Sequence, residues 1–161
     1  MYKYLKPFSF LPAVIILCLI FSFSAQTGKD SGELSYKISY KIVELKSEIT
    51  GTDKSYEELS SEAEAIHFYV RKAGHMTEYF VLALTFMLPF YVYGLRGKRL
   101  LAATLICAVL TAASDEYHQS FVDGRGPAFT DVLIDSSGAL CGIILGWILL
   151  NIFYRKKKKA K

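Results

Sequence analysis

The sequence predicts an all-α membrane protein, a single domain over residues 1–161 built as a bundle of about four transmembrane helices. Three observations lead to this prediction. Of all residues 52% are hydrophobic, slightly more than in ordinary soluble domains. Several apolar runs come close to, or reach, the ~20 residues that are needed to cross a bilayer. Basic residues gather near the ends of these runs and at the C-terminus, apart from most of the acidic residues.

The first predicted span covers residues 8–25, after a basic start at Lys3 and Lys6. A cleaved signal peptide is the alternative, because residues 22–24 resemble a small-residue cleavage site. The apolar part is long for a signal peptide, which favours a retained helix. Pro12 predicts a kink that neighbouring helices would tolerate.

The hydrophilic segment 26–72 is predicted to be extracytoplasmic and partly helical. Its apolar residues recur with roughly helical spacing at Tyr36, Ile38, Tyr40, Ile42, Leu45 and Ile49. Gly51 breaks this pattern, and Ser55 is a predicted N-cap for a second helix that leads into the next span. The segment is either an amphipathic helix on the membrane surface or a lid over a site, and the pattern leaves both open.

The remaining predicted spans cover residues 75–95, 99–114 and 132–154, followed by a basic tail at 155–161. Basic residues favour the cytoplasmic side, so both termini and the 96–99 turn are predicted to be cytoplasmic. The outer ends of all the spans then meet at one membrane depth. The lysines of the tail are expected to contact anionic lipid, and nothing suggests a nucleic-acid partner.

Polar residues concentrate at that outer depth. Arg71, His75 and Glu78 share one helix face by their spacing, and so do Asp115, His118 and Gln119. Asp131 and Asp135 lie on a stripe that continues through Gly138, Gly142 and Gly146, and such small residues let membrane helices pack closely. Ionisable residues at this depth usually face the interior of a bundle or a water-filled cavity, so the set predicts a functional site.

Three chemistries fit this set. The first is metal binding, for which no metal is assigned because a strict zinc motif such as H-E-x-x-H is missing. The second is general acid–base catalysis, and the third is recognition of phosphate or carboxylate by Arg71 and Arg125. The catalytic candidates are His75, Glu78, Asp115, Glu116 and His118. The ligand-binding candidates are Gln26, Arg71, His75, Glu78, Glu116, Gln119, Arg125, Asp131 and Asp135. A purely structural alternative is an internal salt-bridge network that joins Arg71 and Arg125 to Asp115, Glu116, Asp131 and Asp135.

Several stretches together resemble the VanZ-like membrane proteins. They are residues 71–79, residues 114–121, Gly124-Arg125, and residues 131–135 followed by Gly138 and Gly142. The resemblance implies a small helical membrane protein of bacteria, from a family named after a member associated with resistance to the glycopeptide teicoplanin. It implies no agreed catalytic residue and no cofactor.

Two functions are therefore expected. In the first, a polar site at the outer face of the bacterial cytoplasmic membrane binds a lipid headgroup or a cell-wall precursor and lowers susceptibility to glycopeptides such as teicoplanin. In the second, the protein is a membrane-embedded enzyme, with or without a metal, that acts on a lipid-linked or cell-wall substrate. Membrane lipids are the expected partners in either case.

Overall fold

The computed structural model describes residues 5–159, with side chains described as far as residue 152. Over that range the chain is helical and contains no strand. A short 3-10 turn, Pro7–Phe10, precedes α1 (Leu11–Ser24), α2 (Gly28–Thr50), α3 (Tyr56–Val92), α4 (Gly97–Gln119) and α5 (Phe129–Lys159). The predicted roles of Lys3 and of the side chains in the basic tail lie outside the described residues.

Three helical stretches are long and apolar enough to cross a membrane: Pro7–Ser24, Gly97–Gln119 and Phe129–Ile152. They overlap the spans predicted at 8–25, 99–114 and 132–154. The helix of the third predicted span is longer than expected, because the polar block 115–119 continues α4 to Gln119. The kink predicted at Pro12 is wrong. Pro12 lies in the first turn of α1, where the missing N–H has no intrahelical partner to lose.

Capping residues determine where α2 and α3 begin and end. The Thr27 hydroxyl accepts the Asp30 backbone N–H at 3.1 Å, which allows α2 to start within a glycine-containing stretch. Gly51 ends α2 in the left-handed region at φ 65°. Ser55 and Glu58 cap each other's backbone N–H groups at the start of α3, which confirms the predicted N-cap at Ser55.

The helix predicted from the apolar spacing in residues 36–49 exists, but its aliphatic stripe is not the packed face. The face buried towards α3 carries Ser35, Ser39, Val43 and Ser47. The aliphatic side chains Leu34, Ile38, Ile42, Leu45 and Ile49 stay exposed. Small side chains let α2 approach α3 closely, and the Ser39 hydroxyl is satisfied by donating to the Ser35 carbonyl at 2.8 Å.

The C-terminal half of α3 packs against α1, α4 and α5, around a core that contains Ile20, Tyr79, Leu82, Ala83, Ala108, Ala112, Ala139 and Ile143. Glycines bring α5 onto α3, because Gly138 lies against the Met76 carbonyl and Gly142 against the Phe80 carbonyl. With 37 residues, α3 is about 55 Å long. Its N-terminal half and α2 therefore form a hairpin that extends beyond the bundle.

Candidate functional site

A cavity of about 230 Å³ lies where the α2–α3 hairpin meets the end of α1 and the loop before α5. Five of the predicted ligand-binding residues line it: Gln26, Arg71, His75, Glu78 and Arg125. Its other walls are largely apolar and include Phe23, Leu34, Ile38 and Val70. Pockets that enclose a whole drug-sized ligand usually measure ~300–1,000 Å³, so this cavity suits one small group of a larger molecule.

Arg125 lies on the loop that precedes α5, and its guanidinium donates three hydrogen bonds to other parts of the chain. Its Nε donates to the Gln26 carbonyl, its Nη2 to the Phe23 carbonyl and its Nη1 to Gln119 Oε1, each at 3.1 Å. Two of the acceptors are main-chain carbonyls at and just after the C-terminal end of α1, and the Phe23 carbonyl also accepts the Gln26 N–H at 3.2 Å. Arg125 thus joins the C-terminal ends of α1 and α4 while its guanidinium borders the cavity.

The loop that carries Arg125 is positioned by a close contact between two glycines. The Gly28 N–H donates to the Asp123 carbonyl at 3.0 Å, and a Cβ added at Gly28 would clash with the Gly124 carbonyl. Gly124 itself adopts φ 69°, which other residues rarely do. The start of α2 therefore rests directly on this loop.

Arg71 and Arg125 both border the cavity, and the carboxylates Asp115, Glu116 and Glu78 act on Arg125 from beyond ion-pair distance. Neither makes an ion pair with any residue that the structure describes, and the buried Nε of Arg71 has no hydrogen-bond partner. Burial, and after it the nearby Arg71 guanidinium, lower the pKa of Arg125. A buried donor beside a second like charge is stabilised by an anion, so this end of the cavity is suited to a phosphate, sulfate or carboxylate group.

His75 and Glu78 also border the cavity and lie one turn apart on α3. His75 Nδ1 is 4.0 Å from Glu78 Oε2, and both side chains are mostly buried. A histidine and a carboxylate at this distance can orient a ligand or exchange a proton with it. In the described part of the chain, no group of three or more His, Cys, Asp or Glu side chains has the geometry to hold a metal ion.

The predicted salt-bridge network is wrong in its partners. Asp131 pairs with Lys72 at 2.5 Å, although the prediction paired it with an arginine. Glu116 accepts the Ala128 backbone N–H at 2.9 Å. Asp135 is 1% exposed, yet neither of its carboxylate oxygens has a partner.

The model of the VanZ/LLP1 family matches residues 9–151 of the chain. The protein belongs to the VanZ/LLP1 family. This membership confirms the family suggested by the sequence motifs, and together with the three apolar helices it indicates a multi-pass membrane protein. No curated protein and no solved structure matches the chain.

Not all predicted site residues of this VanZ/LLP1 chain converge on the cavity. Gln119 reaches it through Arg125 and also donates from Nε2 to Asp115 Oδ2 at 3.0 Å. The other predicted residues, Asp115, Glu116, His118, Asp131 and Asp135, do not line it. His118 Nδ1 instead lies 3.5 Å from the Ser24 hydroxyl.

The sequence reasoning missed some residues that build this VanZ/LLP1 site. Lys72 does not line the cavity but pairs with Asp131, a contact that the adjacent basic residues 71 and 72 do not reveal in the sequence. Leu34 and Ile38 form the apolar wall of the cavity. Their signal was present, because the aliphatic stripe of α2 stands out in an otherwise polar segment. Tyr79 is fully buried in the bundle core.

Proposed function

We propose that the protein is inserted in the bacterial cytoplasmic membrane by four spans, with the C-terminal half of α3 as the additional one and both termini in the cytoplasm. Two observations support this topology. The C-terminal half of α3 packs among α1, α4 and α5, and the turn between α3 and α4 carries Arg96, Lys98 and Arg99 without an acidic residue. The α2–α3 hairpin and the cavity then lie on the extracytoplasmic side.

At that face the cavity binds the anionic group of a cell-envelope ligand, either a lipid headgroup or a cell-wall precursor. The observation that carries this function is the pair formed by Arg71 and Arg125 at one cavity, without an ion-pair partner among the described residues. The buried, unpaired Nε of Arg71 adds a donor for which an anion would compensate. Binding of such a ligand lowers the action of glycopeptide antibiotics such as teicoplanin.

A second candidate function is an enzyme that acts on a lipid-linked or cell-wall substrate. The half-buried pair of His75 and Glu78 at the cavity favours it, because an acid–base pair beside an anion site is one arrangement for hydrolysis or transfer. Turnover of a phosphorylated lipid by the purified protein, lost in Glu78→Gln, would support catalysis. Binding without turnover supports the first function.

The binding function is tested by comparing Arg71→Gln with Arg99→Gln, which removes an exposed arginine at the opposite end of the bundle. The purified protein is reconstituted in nanodiscs of phosphatidylcholine, and sulfate binding is measured by calorimetry. A charge-assisted hydrogen bond is worth ~1.5–3 kcal/mol, so Arg71→Gln should weaken binding by about 10- to 150-fold. Arg99→Gln should bind like the parent.

Nanodiscs that contain phosphatidylglycerol distinguish the two ligand sources. If the lipid headgroup is the ligand, phosphatidylglycerol should compete with sulfate. If it does not compete, a soluble precursor analogue such as a uridine diphosphate sugar is titrated instead. Equal sulfate affinity for the parent and for a folded Arg71→Gln variant would refute the anion site.

The topology is tested independently by reporter fusions. Fusions after Arg99 should report a cytoplasmic location, and fusions near Thr52 and Gly124 an extracytoplasmic one. A cytoplasmic reading near Gly124 would put the cavity on the wrong side for an envelope ligand.

A further inference from the structure

Three side chains from three different helices leave polar atoms buried without a partner. They are Tyr79 on α3, Asp115 on α4 and Asp135 on α5, and each is at most 1% exposed. The atoms without a hydrogen bond are the Tyr79 hydroxyl, Asp115 Oδ1 and both carboxylate oxygens of Asp135. A buried polar group without a partner costs free energy, so four such atoms at one level of the bundle require an explanation.

These side chains lie on helix faces that are turned towards the same core. Tyr79 packs in the same core cluster as Ala112 of α4 and Ala139 of α5. Asp115 lies three residues after Ala112 and Asp135 four residues before Ala139, so each aspartate shares a helix face with its alanine. The two carboxyl groups are therefore directed into the bundle, within electrostatic reach of Tyr79 but without a hydrogen bond to its hydroxyl.

The charges around this group are mostly negative. Asp135 lies within electrostatic reach of Glu78 on α3, Asp115 and Glu116 on α4, and Asp131 on α5. The Ser24 hydroxyl of α1 and the Gln119 amide lie close enough to favour the charged form of Asp115, and positive charge reaches it from Arg125. Two carboxylates in one water-excluded site do not both ionise, because each penalises the charge of the other. A proton requires only one of these carboxylates, whereas no group of three or more His, Cys, Asp or Glu side chains in the described residues has the geometry for a metal ion.

A hydrogen-bonded chain connects this buried group to the cavity. Asp115 Oδ2 accepts from Gln119 Nε2 at 3.0 Å, and Gln119 Oε1 accepts from Arg125 Nη1 at 3.1 Å. Arg125 in turn borders the cavity beside Arg71. Protonation of the aspartates removes a negative charge from one end of this hydrogen-bonded chain. The other end is Arg125, which borders the anion site.

We propose that Asp115, Asp135 and the Tyr79 hydroxyl form a buried proton-binding site, and that its proton sets the affinity of the cavity for an anion. The second half of this proposal rests on the proposed anion site. When an anion enters, one carboxylate takes up a proton from solvent and becomes a neutral carboxylic acid. No other bond forms or breaks. With one negative charge removed near Arg125, the cavity binds the anion more tightly.

Linkage determines the direction and size of the effect. The protonated state predominates at low pH, so anion affinity rises as pH falls, by at most about tenfold per pH unit for one linked proton. By the same reciprocity, anion binding draws protons from the buffer. Sulfate is a suitable probe because it does not titrate near neutral pH.

The experiment measures sulfate affinity of the full-length protein in phosphatidylcholine nanodiscs at several values between about pH 5.5 and 8, where unperturbed carboxylates stay ionised. Calorimetry in two buffers of different ionisation enthalpy counts the protons taken up. The parent should bind more tightly at low pH with proton uptake. Asp135→Asn and Asp115→Asn should bind with little pH dependence. His75→Gln removes the imidazole of the cavity itself, and this variant should keep the slope of the parent. A slope that persists in both aspartate variants, or that disappears in His75→Gln, overturns the proposal.

Infrared difference spectroscopy without sulfate tests the proton site by itself. The parent should show a carboxylic-acid C=O band that is lost in Asp135→Asn or Asp115→Asn and shifted in Tyr79→Phe, and far-UV circular dichroism verifies that each variant is folded. If the band is present and sulfate does not bind, the anion site is wrong and the proton site stands. If sulfate binds and no variant changes the band, the proton site is wrong. Tyr79→Phe provides a third variant if an asparagine variant does not fold.

Discussion

Gly138→Ala adds a single methyl group, and this change should lower the free energy of unfolding of the protein. Gly138 lies where α5 crosses α3, and a Cβ there would come well inside 3.0 Å of the Met76 backbone carbonyl. A backbone carbonyl in the middle of a helix cannot rotate away, so α3 and α5 must move apart. Overpacking of this kind costs ~1–3 kcal/mol, and the rigid neighbour argues for the upper end. Alanine regains ~1 kcal/mol of helix propensity, which leaves a net loss of ~2 kcal/mol.

Gly32→Ala is the matched control. Gly32 also lies inside a helix, but a Cβ added there meets nothing within 4 Å. Only the propensity gain remains, so this variant should be more stable than the parent by ~0.5–1 kcal/mol. The two variants make the same chemical change and should shift stability in opposite directions.

The assay is reversible unfolding of the purified protein in mild detergent, titrated with a denaturing detergent and followed by far-UV circular dichroism. The expected difference between the two variants is ~3 kcal/mol. If Gly138→Ala is as stable as Gly32→Ala, then α3 and α5 do not approach each other as closely as described. In that case the glycine stripe of α5 has no packing role.

Three further predictions concern other parts of the fold. Ser39→Leu should destabilise the α2–α3 hairpin by ~1–3 kcal/mol because Ser39 is fully buried. Ile42→Ser should change the free energy of unfolding by less than ~0.5 kcal/mol because Ile42 is exposed. Unfolding in detergent distinguishes the two variants. Asp135→Asn should change stability by less than ~1 kcal/mol, since no buried ion pair is broken, and a loss of ~3–5 kcal/mol in the same assay would indicate a cationic partner. The hydrogen bond from Lys54 lowers the pKa of Glu62 below 4.5, so this pair stabilises the hairpin above that pH and the stabilisation is lost as pH falls through the lowered pKa. Tyrosine near-UV circular dichroism should show this acid transition in the parent, and Glu62→Gln should lack that component.

Much of the fold could be predicted from local patterns. The length of an apolar run identifies helices that can cross a membrane, because the thickness of the bilayer sets the number of apolar residues that a span needs. Ser55 at the start of α3 and Gly51 at the end of α2 act through their own backbone neighbourhood, so no distant contact is needed to recognise them. The spacing of Arg71, His75 and Glu78 likewise puts them on one helix face, and all of them border the cavity.

The partners of the charged side chains could not be predicted in this way. Arg125 binds the carbonyls of Phe23 and Gln26, and main-chain carbonyls leave no trace in the pattern of side chains. Lys72 and Arg71 are adjacent basic residues that differ by about 100° around α3. Only the position of α5 determines that Lys72 reaches Asp131 while Arg71 faces the cavity.

The buried face of α2 shows the same division. Hydrophobicity predicts that its aliphatic stripe is packed, yet Ser39 is buried and Ile42 is exposed. Periodicity alone therefore predicted a helix over residues 36–49 and which side chains share each of its faces, and the observed helix extends over Gly28–Thr50. Which face meets α3 depended on how closely the two backbones can approach, a property of both helices together that small serine side chains satisfy and branched aliphatic ones do not.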